Sequence, residues 1–274
     1  MGTLEHSRHG GNMRESCAGL RDLGAGRPVP SLASAEGRSL PEFPLPQPLN
    51  QLLAQLPLAS QHRMGALGEV VELKLSEIIG DVGRPTASVL FPIDGFISLL
   101  AQVDSEHAIE VGMVGREGLL GIQLALGVAT EPLKALVQGP GQALRISAAA
   151  FRRELGTNPA LRSTIDRYVY VLFAQHARAA ACLRFHQIEE RLARWLLMSH
   201  DRAHADEFRV TQEFLAYMLG VRRVGVTVAA GALQRQRLIA YDRGEMTIVD
   251  RGGLERAACS CYASDRAAYA EQFE

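Results

Sequence analysis

The stretch from Arg209 to Val249, RVTQEFLAYMLGVRRVGVTVAAGALQRQRLIAYDRGEMTIV, constrains the fold more than any other part of the chain. Thr211 is the expected N-cap of a helix beginning near Gln212, with Phe214, Leu215, Met218 and Leu219 on its apolar face. Gly220 suits a turn that requires positive φ. The spacing predicts a second helix from about Arg222. Val224, Val228, Ala232 and Leu233 are expected inward, with Arg222, Arg223, Thr227, Gln234 and Arg235 outward. Leu238-Ile239, the turn Asp242-Arg243-Gly244-Glu245, and Met246-Thr247-Ile248-Val249 then read as a two-stranded ribbon. Two short helices, a tight turn and a ribbon make a winged helix-turn-helix, whose second helix enters the major groove of double-stranded DNA.

Charge separates this reading from a plain helical hairpin in a core. Between Arg209 and Arg243 there are six arginines (209, 222, 223, 235, 237 and 243) against Glu213 and Asp242, in a chain of net charge -1. A local basic face on a near-neutral protein is a phosphate-binding footprint.

Val210-Thr211-Gln212-Glu213, Leu215-Ala216, Leu219-Gly220-Val221-Arg222-Arg223 and Gly231-Ala232-Leu233-Gln234-Arg235-Gln236-Arg237-Leu238-Ile239 resemble the Crp/Fnr family of bacterial transcription regulators. The resemblance is strong in the C-terminal region and continues more loosely back to about Leu49. It implies an α+β chain: an N-terminal double-stranded β-helix (a jelly roll like cyclic-nucleotide-binding domains), a long dimerisation helix, and a C-terminal winged helix-turn-helix. It also implies double-stranded DNA, a second copy of the chain and RNA polymerase as partners, and a palindromic operator.

The remaining sequence accommodates that plan. A chain of 274 residues with 47% hydrophobic content can bury two modest cores. No run of 18 apolar residues occurs and no signal-type h-region opens the chain, so no membrane is expected. Cys17, Cys182, Cys259 and Cys261 are too scattered for a disulfide framework, and a reducing cytoplasm is expected. Residues 1–46 hold five of the twelve prolines, seven of the 26 glycines, and five arginines against five acids, and read as a flexible extension. A sensor domain is expected over 47–157. It opens with a helical stripe at Leu49, Leu52, Leu53 and Leu56. Strands follow around 70–75, 87–91, 95–100, 108–113, 134–137 and 142–146.

In the sensor the resemblance departs from the cyclic-nucleotide binders. Those carry Gly-Glu and, about ten residues on, Arg-Ser/Thr-Ala, whose arginine pairs with the cyclic phosphate. The matching stretch here is Pro132-Leu133-Lys134-Ala135. A leucine cannot supply the bidentate fork that phosphate requires, which argues against cyclic AMP. Gly115, Arg116, Glu117 and Gly118, with Lys134, remain the candidate effector pocket, for another small molecule or for none.

Oxygen-sensing relatives hold an iron–sulfur cluster on four cysteines, three of them close together near the N-terminus, where this chain has only Cys17. Cys259-Ser260-Cys261 supplies two of the four ligands that a structural zinc needs, so two free thiols at a helix end are expected, and no metal. His62 and His107 are read as surface or satisfied residues rather than haem ligands. Between residues 69 and 147 only His107 occurs, so a cupin-like metalloenzyme, or any catalytic site, is not expected.

After Asn158-Pro159 a long helix is expected over 158–185, with Leu161, Ile165, Tyr168, Leu172, Gln175, Ala179 and Cys182 spaced 4-3-4-3-4-3. This seam is assigned to the dimer interface, with Val169, Phe173 and His176 facing the chain's own domain and a hinge near Leu183–His186. Residues 186–274 are assigned to the DNA-binding domain and tail. Arg223 matches the position at which the family reads guanine, with Arg222 beside it. Thr227 and Gln234 are base or phosphate candidates. Arg235, Arg237 and Arg243 are phosphate contacts, and Thr211 and Gln212 lie at a helix start facing a phosphate. A ligand-independent regulator and a basic protein-binding module are the alternatives.

Overall fold

The computed structural model describes residues 50–104 and 107–274. The extension expected over 1–46 and Cys17 lie outside the described residues.

Asn50 opens the first domain. Its side-chain oxygen accepts the N–H groups of Leu52 and Leu53, capping helix α1 (Gln51–Ala54). Its amide donates to the carbonyls of Pro92 and Gly118 at 2.9 and 2.8 Å, so one buried residue pins the helix to two loops. Pro57 then starts α2 (Leu58–Leu67), which was not expected from the sequence.

Seven strands follow: β1 (Gly68–Leu73), β2 (Ile78–Gly80), β3 (Ser88–Pro92), β4 (Phe96–Gln102), β5 (Ala108–Val114), β6 (Lys134–Gly139) and β7 (Gly141–Ser147). They form two antiparallel sheets, ordered β1-β7-β3 and β2-β6-β4-β5. Leu73, Leu90 and Ala143 from the first sheet meet Ile97, Leu99, Val114, Ala135 and Val137 from the second in one apolar core. The alternation read from the sequence located every strand except the three-residue β2. A 3-10 turn at Ile122–Leu126 and helix α3 (Ala148–Thr157) close this domain.

Helix α4 (Pro159–Phe185) starts as expected. Pro159 occupies the first turn, and the Asn158 side chain accepts the Leu161 N–H at 3.2 Å. At about 1.5 Å per residue it runs roughly 40 Å. The face it buries corrects the sequence reading. Leu161, Ile165 and Tyr168 sit at 1%, 0% and 3% exposure inside the core with Phe91, Phe151 and Leu52. Ala179 is buried, and Leu172 and Gln175 are half-buried. Of the residues expected along the dimer seam, Leu161, Ile165, Tyr168, Ala179 and Cys182 are covered by their own chain, and Leu172 and Gln175 are partly covered by it. A 3.5-residue period marks a covered stripe without saying which neighbour covers it. The exposed stripe lies opposite, with Tyr170 at 58%, Phe173 at 74%, Ala177 and Ala181.

The C-terminal part comprises α5 (Ile188–Ala203), β8 (Glu207–Arg209), α6 (Gln212–Leu219), α7 (Arg223–Arg235), β9 (Ile239–Asp242), β10 (Glu245–Ile248), α8 (Arg251–Ala257) and α9 (Cys261–Phe273). Glu190 accepts the Gln187 N–H at 2.9 Å at the start of α5. The core of α5 to α8 (Leu192, Trp195, Leu196, Leu215, Leu233, Met246 and Leu254 among others) is continuous with Phe96, Leu100 and Met113 of the strands. The tail folds back onto α4. Phe273 inserts into the core below α4, its carbonyl accepts from Gln55, and the Arg167 guanidinium covers its ring at 4.9 Å. Among the described residues, no single helix is long and apolar enough to cross a membrane.

Candidate nucleic-acid interface

Helices α6 and α7 meet at 107°, the angle of a helix-turn-helix. Thr211 Oγ1 caps α6 by accepting the Phe214 N–H at 3.1 Å. Gly220 ends it with φ of +62°, which glycine adopts without strain, and a Cβ there would lie 2.5 Å from Ile109 Cδ1. The turn therefore rests directly on β5. Arg191 of α5 donates to the Leu219 carbonyl and holds the C-terminus of α6.

Helix α7 buries Val226, Ala229, Ala230 and Leu233. Val224 and Val228, expected inward, are 72% and 67% exposed. The run VGVTVAAGA offers apolar or small residues on every face, so periodicity alone could not fix its rotation. Arg222, Arg223, Val224, Thr227 and Val228 thus share the outer face at the N-terminal end of α7. Thr227 Oγ1 donates to Gln212 Oε1 at 2.7 Å and joins this face to the first turn of α6.

The ribbon is a three-stranded sheet, β8-β10-β9, because Glu207–Arg209 adds an edge strand too short and charged to announce itself. Its turn, Arg243-Gly244, has φ of +48° and +89°, the signs a two-residue type I′ hairpin requires. Val210 N–H donates to the Gly244 carbonyl at 2.7 Å, and the Tyr241 hydroxyl to the Val210 carbonyl at 2.8 Å. Arg243 is thereby stitched beside Thr211. Burial raises the Tyr241 hydroxyl pKa, against the nearby positive charge of Arg223. Thr211, Gln212, Arg222, Arg223, Thr227 and Arg243 therefore converge on one surface. Gln234 is separated from it: its amide donates to the Tyr241 carbonyl at 3.1 Å, bracing the wing. Arg235 and Arg237 are exposed at the far end of α7, Arg237 with φ of +59°.

Residues 190–257 match the Crp-like helix-turn-helix domain. Solved structures share the fold over most of the chain. The c-di-GMP-responsive global regulator CLP of Xanthomonas campestris is 18% identical, with TM-score 0.59 over 70% of this chain and 99% of that one. A CRP/FNR-family transcriptional regulator from Thermus thermophilus is 21% identical, with TM-score 0.57 over 69% of this chain and 98% of that one. This chain has the fold of a Crp/Fnr transcription regulator. A search of curated proteins finds no match.

Within this Crp/Fnr fold the candidate effector residues divide. The Gly115–Gly118 loop is locked rather than open. Glu117 Oε1 accepts the Gly115 N–H at 3.1 Å and Arg202 Nε at 2.9 Å. A Cβ on Gly118 would clash with the Tyr168 hydroxyl. Lys134 is half-buried at the start of β6, and Leu133 packs against the sandwich core. Of the five residues, Arg116 and Glu117 line a cavity of about 240 Å³ between β5, α5 and α9, together with Arg194, Arg202, Asp265 and Tyr269 among others. The cavity depends on α9 folding back, which the sequence did not announce.

Proposed function

We propose that the chain binds a palindromic operator as a homodimer, with the N-terminal end of α7 in the major groove. The observation that carries this reading is the outer face of α7. Arg222, Arg223, Val224, Thr227 and Val228 all stand exposed, while the opposite side of the same helix is fully packed. Arg223 is the residue for a bidentate contact to guanine, and Val224 and Val228 offer apolar contact to thymine methyl groups. Arg222, Arg235, Arg237 and Arg243 position the protein on phosphates. Gln212 holds Thr227 in place and does not need to touch a base.

The second copy docks along the exposed stripe of α4, Tyr170, Phe173, Ala177 and Ala181. Two-fold pairing there sets two reading helices about 34 Å apart, one DNA turn. This reading assigns no cyclic nucleotide to the sensor, because Leu133 packs against the apolar core and offers no bidentate cation, and Glu117 is paired with Arg202. RNA polymerase is the partner that this arrangement brings to a promoter.

The test is a duplex-binding titration across salt concentrations with wild type and Arg223→Ala. DNA binding predicts an affinity that falls steeply with salt. The variant should lose about 1–3 kcal/mol on specific duplexes and relax one operator position. An affinity insensitive to salt would favour the basic surface as a protein-binding module.

A further inference from the structure

Four ligand-type side chains that DNA binding does not use converge where α4 ends. Cys182 lies on its last turn, His186 follows directly, and Cys259 and Cys261 flank the entry to α9. Their sulfur and ring-nitrogen atoms all lie within 4.8 Å of one another. Cys182 Sγ stands 3.6 Å from Cys259 Sγ, and Cys261 Sγ stands 3.6 Å from His186 Nδ1. The three cysteines are free thiols and buried, forming an apolar cluster of their own, and His186 is half-buried.

We propose that Cys182, His186, Cys259 and Cys261 bind a single zinc ion. Tetrahedral zinc with sulfurs at about 2.3 Å and nitrogen at about 2.0 Å places its ligand atoms roughly 3.5–3.8 Å apart along each edge. Both measured pairs already have that spacing. A polynuclear iron–sulfur cluster would hold its ligand atoms farther apart than this set stands, which selects one ion. Three soft thiolates with one imidazole select zinc over the oxygen-seeking cations.

The surroundings complete the site. Three thiolates and a divalent ion leave one negative charge, and Arg194 donates Nη1 to Cys182 Sγ at 3.7 Å. Arg194 is itself fixed by the buried Asp265 at 2.6 Å, which also accepts from the half-buried Arg178 at 2.6 Å, so the group beside Cys182 is held in place. The ligand count drawn from Cys259-Ser260-Cys261 alone was two. The fold supplies the other two from a helix end more than seventy residues away. Cys259 and Cys261 lie beyond the matched helix-turn-helix domain, and the ion would tie the expected hinge at Leu183–His186 to α9.

The test uses the full chain, purified under reducing conditions without chelator. Elemental analysis should find about one zinc per chain. Exchange with cobalt(II) should give the intense visible bands of tetrahedral coordination together with sulfur-to-metal charge transfer. Cys182→Ser and Cys261→Ser should each remove about a third of that charge transfer, one thiolate of three. His186→Asn, which keeps every thiol, should preserve the charge transfer while shifting the visible bands; it carries the test where the serine variants do not fold. A full chain that stays metal-free after exposure to zinc and cobalt overturns the proposal, as do cobalt spectra that these variants leave unchanged.

Discussion

Arg202 of α5 places its Nε 2.9 Å and its Nη2 2.7 Å from Glu117 Oε1, joining the DNA-binding half of the molecule to the loop after β5. Both side chains are largely enclosed, at 13% and 22% exposure. A charge-assisted contact of this kind is specific in geometry, and removing one member strands the other. Glu117→Gln and Arg202→Met should each lower stability by about 1–3 kcal/mol. In urea denaturation the double variant should cost less than the sum of the two. Additive losses would show that the pair is not coupled.

Glu110 lies on β5 against α5, and burial raises its carboxyl pKa to about 7, against the pull of Ser98, Arg202, Arg194 and Trp195. Its Oε2 has no hydrogen-bond partner among the described residues. A carboxyl raised on folding binds more protons in the folded than in the unfolded chain between its two pKa values. Stability therefore falls as pH rises through that window and levels off above about 7. Melting temperatures followed from about pH 5 to 8 should decline more steeply for wild type than for Glu110→Gln. Parallel curves would remove Glu110 as the source.

Phe173 is 74% exposed and Tyr170 58% exposed on the outer stripe of α4, where the second copy is proposed to dock. Phe173→Glu places a charge on each side of that two-fold contact without disturbing the inner face. Light scattering should report a dimer for wild type and a monomer for the variant, with helical content unchanged. A variant that remains dimeric would move the interface elsewhere.

The sequence made the winged helix-turn-helix legible because Thr211, Gly220 and Arg243-Gly244 are local signals, each fixed by the backbone geometry of its own turn. The strands were legible for the same reason, through alternation. What failed were statements about neighbours. Leu161, Ile165 and Tyr168 were correctly expected to be covered, but by the wrong partner. Val224 and Val228 were placed inward because Val226 and Ala229 offer an equally apolar stripe one step around the helix. The return of α9 depends on Phe273 finding a distant core, and no short-range pattern encodes that. Cys182 and His186 joined Cys259 and Cys261 only once that return was in place.

Selection of bound sequences from a random duplex library, at fixed salt and with no added ligand, tests the central claim most directly. The account predicts enrichment of a two-fold palindrome with half-sites about one helical turn apart, and Arg223→Ala should blur one position in each half. Retention of duplexes without any sequence preference would contradict it. That outcome would mean that the exposed face of α7 holds phosphates but reads no bases.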